Sequence, residues 1–198
     1  MRLLSEIHRE FEHPLTVAYL DITAAFDSGD RLALWKALRD TGVPEVLLHL
    51  IVALHENTGA YVHLGKKLSS RFCTSSGVRH GCILAPDVFR VAIDWILDYM
   101  ATKPHLEVGG QIFSDLAYTD DTAFLSSSED NIAPCLHSFS QAAATLGLRT
   151  SWAKTKLQNL GSGPSQTSLQ IDGNSVESVD ILSTSAAYKN PKTTIVQT

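Results

Sequence analysis

The chain has 198 residues, 44% of them hydrophobic, which is enough for one globular domain with its own core. Its net charge of −5 excludes a protein that holds nucleic acid by overall positive charge. Three cysteines, Cys73, Cys82 and Cys135, show neither CxxC spacing nor companion histidines at zinc-ligand spacing, which excludes a disulfide framework or structural zinc and predicts a reduced, intracellular chain.

After Pro14, the apolar, β-branched run LTVAYLDI at 15–22 predicts a buried strand that ends at Asp21. DSGDRLALWKALRDTG opens on turn formers and carries Leu32, Trp35 and Leu38 at helical spacing. Gly42 and Pro44 close that helix and open another, in which Val46, Leu47, Leu50, Ile51 and Leu54 are expected to face the core. The longest apolar stretch, VLLHLIVAL at 46–54, is too short to span a bilayer, and the N-terminus lacks a secretory signal pattern, so no membrane partner is expected. AYVHL and SSRFCTS on either side of GKKL predict a hairpin.

SGVRHGCILAP at 76–86 holds two glycines and a proline and reads as a loop, followed by a helix over 87–100. QIFSDLAY and TAFL then form the arms of an expected β-hairpin with Asp120 and Asp121 at its tip. A helix over 130–146 ends at Gly147 and leads into the basic stretch LRTSWAKTKLQNLG. Strands alternating with helices predict an α+β fold. From 161 the texture changes to GSGPSQTS and later STSAAYKNPKTTIVQT, rich in Ser, Thr and Gly with little periodicity, so residues 162–198 are expected to be a weakly ordered tail.

An Asp-Asp pair read alone is most often a solvated turn, because Asp tolerates turn backbone angles. Set inside an apolar hairpin, two adjacent like charges also suit a divalent cation that offsets their repulsion. Asp21, at the end of a strand expected beside that hairpin, would complete a compact set of oxygen ligands suited to Mg²⁺. Lys66, Lys67, Arg71, Arg79 and His80 form one basic cluster and Arg149, Lys154 and Lys156 another; each is equally an ordinary solvated face.

YLDITAAFDSGD, SSGVRHGCILAPDVF, AYTDDTAFL and GLRTSWAKTK, in that order, resemble the palm-domain motifs of reverse transcriptases, in particular those of non-LTR (LINE-type) retrotransposons. The family forms are D-x-x-x-A-F-D, G-V-R-Q-G-C-x-L-x-P-x-L-F and Y-A-D-D, and the resemblance covers about residues 14–161. It implies an antiparallel palm sheet with helices packed on one face. It also implies RNA-directed DNA polymerase activity, with RNA template, DNA primer and deoxynucleoside triphosphates as partners.

The resemblance makes Asp21, Asp120 and Asp121 the catalytic and metal-binding carboxylates, with Mg²⁺ as cofactor and Mn²⁺ as the alternative. It makes Phe26 an aromatic floor under the sugar, excluding a 2′-hydroxyl; a core aromatic is the competing reading. Arg79, His80 and Gly81 fall in the nucleotide-binding loop, whose glycines allow close backbone approach. Lys154 matches a lysine near the triphosphate, where an ammonium group can neutralise or protonate the leaving pyrophosphate; a plain surface lysine is nearly as good a reading.

The sequence departs from the family pattern at His80, usually glutamine, at Thr119, usually alanine, and at Ala24, often basic or polar. Residues 1–161 are expected to hold the palm and a partial set of fingers, with no thumb, endonuclease or zinc knuckle. That organisation suggests a piece of a mobile-element polyprotein, and leaves open a catalytically incomplete module that keeps the palm scaffold and some nucleic-acid contacts.

Overall fold

The computed structural model describes residues 2–79, 81–118, 121–163, 168–180 and 193–197. A helix α1 (Arg2–Glu10) leads into strand β1 (Thr16–Leu20), the centre of a six-stranded sheet. After a one-turn helix α2 (Ala25–Ser28) come α3 (Arg31–Asp40) and α4 (Glu45–His55). Strands β2 (Gly59–Leu64), β3 (Lys67–Leu68) and β4 (Phe72–Cys73) build a small separate sheet. Helix α5 (Ala85–Tyr99), the hairpin β5 (Leu106–Val108) and β6 (Gln111–Phe113), and the hairpin β7 (Asp115–Tyr118) and β8 (Asp121–Ser126) follow. The chain continues through α6 (Ile132–Thr145), β9 (Lys156–Asn159), β10 (Ser168–Ile171), β11 (Asn174–Ser178) and β12 (Thr193–Gln197), the last paired with β2.

The main sheet has the order β10-β11-β9-β1-β8-β7. All neighbours are antiparallel except β11 and β9, which run parallel, so the sheet is mixed where a purely antiparallel one is expected from the resemblance. Successive residues of a strand face opposite sides, and β1 is buried on both. Ala18 and Leu20, with Phe124 of β8 and Leu157 of β9, face a large core built from Leu34 and Leu38 of α3, Phe89, Ile93 and Ile96 of α5, and Leu136 and Phe139 of α6. Val17, with Ala123 and Leu125 of β8, faces the other way, into a smaller cluster closed by Leu106 of β5 and, at its margin, Leu4 of α1. Most helices lie on one face as expected, and the opposite face is covered by α1 and the β5–β6 hairpin.

Local signals explain where the helices start. Asp30 caps α3 by accepting a hydrogen bond from Ala33 N at 2.8 Å, and Pro86 occupies the first turn of α5, where a missing N–H costs nothing. On α5, Ala85, Val88, Phe89, Ala92, Ile93 and Ile96 recur at three- and four-residue intervals and all are buried.

Further expectations are corrected. On α4 the buried stripe is Leu48, Ile51 and His55, whereas Val46 is 77% exposed, Leu50 58%, and Leu47 and Leu54 are also exposed. This helix is apolar on most of its circumference, so hydropathy does not choose its inner face. Leu32 is likewise 79% exposed, while Trp35 and Leu38 are buried as their spacing predicts.

The expected hairpin carrying the aspartates is two hairpins. Residues 111–113 pair with β5, and only residues 115–118 pair with β8. Asp121 is therefore the first residue of β8, opposite Tyr118, and not part of the tip.

Residues 168–178, expected in a weakly ordered tail, form the β10–β11 hairpin and extend the main sheet. Their signal is IDGN: Ile171 pairs with Asn174 across Asp172 and Gly173, which have φ of 51° and 77°. An Asp-Gly pair with positive φ at both residues is the two-residue turn that matches strand twist. Ile171 and Val176 are buried against the core, and His137 Nδ1 of α6 lies 2.8 Å from Asp172 Oδ2.

Replacing Val176, which is 0% exposed, with Asp puts an unpaired charge into this core. Val176→Asp is expected to lower stability by about 3 kcal/mol or more, read from urea unfolding. An unchanged midpoint would show that the hairpin does not contribute to the core.

Candidate functional site

Asp21 follows β1 directly, at the point where burial on both faces ends. Its main chain is held by the segment before β9: Ser151 N donates to Asp21 O at 2.8 Å, and Thr23 N donates to Arg149 O at 2.8 Å. Thr155, fully buried, donates its hydroxyl to Ser151 O at 3.0 Å and closes that turn. This zipper carries Lys154 to Asp21, with Nζ 3.4 Å from Oδ2.

The pair is an ion contact and not an aligned hydrogen bond. Oδ2 is buried and accepts no hydrogen bond from the described residues, although the Asp21 side chain as a whole is 34% exposed and that of Lys154 69% exposed. A mobile, solvated ammonium beside a carboxylate is worth little, typically under about 1 kcal/mol. A buried acceptor without a donor costs about 1–3 kcal/mol. The site therefore holds an oxygen whose hydrogen-bonding capacity the described residues leave unused.

Asp121 comes to the same edge through strand register. β1 pairs with β8 from Thr16 opposite Ser126 to Leu20 opposite Thr122, and Asp21 and Asp121 are the residues next to that last pair on each strand. Asp120 and His80 lie outside the described residues. Among the described residues no group of three His, Cys, Asp or Glu side chains is placed to hold a metal ion.

The neighbouring wall is made by α2 and the segment 74–79. Phe26 is half-buried, its ring 5.0 Å from that of Phe89 on α5 and tilted by 34°. It is thus supported from the core, in keeping with both readings of this residue. Val78 N donates to Phe26 O at 2.7 Å, Gly77 N to Gly29 O at 2.7 Å, and Ser76 Oγ to Asp27 O at 2.8 Å. Gly77 has φ of 68°, and a Cβ there would overlap the Phe26 carbonyl oxygen, so this approach requires glycine. Gly81 also has positive φ, at 77°, with open space beside its Cα. Arg79 is half-buried next to Val78.

Asp21, with Lys154 in contact, and the first residue of β8, Asp121, thus lie at the same end of the inner strands, and Phe26 is tied to the segment carrying Arg79. Sequence reasoning passed over Arg31, His55 and Thr58. Arg31 of α3 donates from Nε to Gly77 O at 2.8 Å, from Nη1 to His55 O at 2.7 Å and Thr74 O at 3.1 Å, and from Nη2 to Thr58 Oγ1 at 2.9 Å. A faint signal existed, since a cation at the first position of a helix opposes the macrodipole and needs partners elsewhere.

Asp21→Asn is expected to leave the fold intact and the metal-free chain as stable as before, or up to about 1 kcal/mol more stable, because it removes a charge that the fold compensates poorly. Chemical denaturation checks this. A loss of stability larger than about 1 kcal/mol would show that the Lys154 pair matters more than its exposure suggests.

Comparison with known proteins places the chain in a family. Residues 4–185 match the family described as reverse transcriptase (RNA-dependent DNA polymerase). Among curated relatives, the chain is 22% identical over 173 residues to the Retrovirus-related Pol polyprotein from type-2 retrotransposable element R2DM of Drosophila melanogaster, covering 87% of this chain and 16% of that protein. It is 27% identical over 126 residues to the corresponding polyprotein from type-1 retrotransposable element R2 of Popillia japonica, covering 62% of this chain and 17% of the relative. The chain therefore spans about one sixth of the length of these relatives. Among solved structures, apo telomerase from Candida tropicalis, truncated from its C-terminal domain, superposes with a TM-score of 0.52 at 16% identity, over 83% of this chain and 34% of that one. That likeness concerns the fold. The family match spans most of the chain and includes the segments that carry Asp21, Phe26, Arg79, Asp121 and Lys154: the chain belongs to the reverse transcriptase (RNA-dependent DNA polymerase) family.

Proposed function

We propose that this chain is the palm of an RNA-directed DNA polymerase of a LINE-type retroelement, which extends a primer 3′ end with deoxynucleotides opposite an RNA template. The observation that carries this reading is the register of β1 on β8, which brings Asp21 and Asp121 to one sheet edge with Lys154 beside them. The buried, undonated oxygen of Asp21 supports a cation role, since a hard divalent ion is the partner that carboxylate oxygens suit best. Reverse transcriptases as a family use divalent ions; here Asp21, Asp120 and Asp121 would hold Mg²⁺, which would offset charge on the triphosphate and favour the attacking 3′-oxygen.

The chain's own residues then divide the remaining work. Phe26, propped on Phe89, presents a rigid ring to the sugar and leaves little room for a 2′-hydroxyl. Arg79 supplies positive charge to a triphosphate oxygen. Lys154, exposed and in contact with Asp21, can turn to the departing pyrophosphate and neutralise or protonate it. The net reaction joins the primer 3′-oxygen to the α-phosphorus and breaks the bond to the β-phosphate bridging oxygen. In this reading the template, the primer and the deoxynucleoside triphosphates are the partners.

Primer extension on an RNA template, with the purified chain, Mg²⁺ and the four deoxynucleotides, tests the proposal beside an Asp120→Asn control. Extension by the parent and its loss in the variant is the expected result; a folded parent that extends nothing overturns it and leaves a palm scaffold without catalysis. Mg²⁺ or Mn²⁺ is expected to raise the melting temperature of the parent and not of Asp120→Asn. Phe26→Val is expected to raise ribonucleotide incorporation on the order of tenfold, the scale of a single steric contact. Unchanged selectivity would return Phe26 to the role of a core aromatic.

A further inference from the structure

Segment 74–79 has no helix or strand of its own, yet hydrogen bonds reach it from both sides. The 26–29 turn takes its bonds from Ser76, Gly77 and Val78. On the other side the Arg31 guanidinium donates to the carbonyls of Thr74 and Gly77, and the Thr58 hydroxyl donates to Thr74 O at 3.0 Å. At the far end the Arg79 N–H donates to His55 Nε2 at 3.2 Å, and the Arg79 carbonyl accepts from Cys82 N at 3.2 Å.

The partners of His55 dictate its protonation. Nδ1 lies 2.8 Å from Ile51 O, which can only accept, so Nδ1 carries a proton. Nε2 faces the Arg79 N–H, which can only donate, so Nε2 is bare. Only the neutral imidazole protonated at Nδ1 satisfies both contacts. A second proton on Nε2 would set N–H against N–H. His55 is 3% exposed, its ring edge-on to Trp35 at 5.1 Å, and burial together with the charges of Arg31 and Arg79 pushes its pKa below the ordinary histidine value. A histidine held neutral next to arginines is suited to serve as a fixed acceptor.

We propose that His55 is a positioning residue for the nucleotide: as a neutral acceptor it fixes the Arg79 main chain, while Arg31 fixes Thr74 and Gly77, so that the phosphate-facing and sugar-facing groups are set by one clamp. The inference rests on the polymerase reading above, since Arg79 and Phe26 take their roles from it. The same segment that ends at Arg79 bonds to the Phe26 carbonyl, so loosening His55 moves both substrate contacts together. α4 and α3 thereby act on the nucleotide site without touching substrate.

The test compares His55→Leu, which has no acceptor, with His55→Gln, whose side-chain oxygen can reach the same N–H. The parent's imidazole is expected to show the ¹⁵N signature of the neutral tautomer protonated at Nδ1. In His55→Leu the Arg79 amide is expected to exchange with solvent about tenfold faster or more, the scale of one lost hydrogen bond, while amides of β1 keep their protection. In primer extension the same variant is expected to raise the deoxynucleotide KM about tenfold with kcat within about twofold, and His55→Gln to restore most of both effects.

Unchanged exchange at Arg79, or a fall in kcat with KM unmoved, overturns the proposal. Should His55→Leu fail to fold, Arg31→Lys makes the same comparison at the other end, with faster exchange at Gly77 and raised KM expected and parental values overturning the clamp. A parent that extends no primer overturns the catalytic reading by itself; exchange at Arg79 in His55→Leu then decides whether His55 positions the segment.

Discussion

The structure depends on one strand that is buried on both faces. β1 has α3, α5 and α6 over one side and the small cluster under α1 and β5 on the other, so each of its side chains except Tyr19 is almost wholly removed from water. Burial at this level is worth about 1.5–3 kcal/mol for each large apolar side chain and tolerates no unpaired charge. A carboxylate is admissible only where the covering layers end. Asp21 stands at that point, and its neighbours β8 and β9 bring Asp121 and Lys154 to the same edge because antiparallel register leaves them nowhere else to go.

A second constraint locks the loops around that edge. The 26–29 turn and segment 74–79 bond to each other through main-chain groups, which is possible only because Gly77 has no side chain to separate them. Arg31 then donates to the carbonyls of Thr74 and Gly77 and to His55 O and Thr58 Oγ1, with a planar fork of donors that lysine cannot reproduce. Irregular backbone beside Asp21 is thus held without helix or strand. The Asp21 carboxylate is the opposite case, with a buried oxygen that makes an ion contact with Lys154 and accepts no hydrogen bond from the described residues. Stability is given up at the Asp21 carboxylate and recovered in the loops that surround it.

The acidic net charge is compatible with this arrangement because the charges that matter are local. Lys154, Arg79 and Arg31 lie around the carboxylate edge and the segment beside it, whereas many acidic groups sit on exposed helix surfaces, such as Glu45 paired with Arg39 and Asp98 near Lys103. Surface pairs of this kind contribute little to stability and are screened beyond about 8 Å at physiological salt. A whole-chain charge of −5 therefore says little about the potential at one sheet edge.

Much of this was legible in the residues. The run LTVAYL requires a doubly buried strand, the spacing on α5 requires one buried stripe, and the order of four motifs points to the family before any coordinate is known. These features are written within a few residues of one another, through backbone sterics, side-chain period and turn chemistry. The inner face of α4, the splitting of the aspartate hairpin, the docking of the Asp172-Gly173 hairpin, and the meeting of Arg31 with His55 were not legible. Each depends on which distant segment supplies a partner. An all-round apolar helix has no preferred side until α3 is packed against it, and a histidine becomes an acceptor only when Ile51 O and the Arg79 N–H claim its two nitrogens. Local sequence determined the elements and the chemistry available to them; tertiary packing alone decided which of those groups face one another, because that choice is made by contacts between residues far apart in the chain.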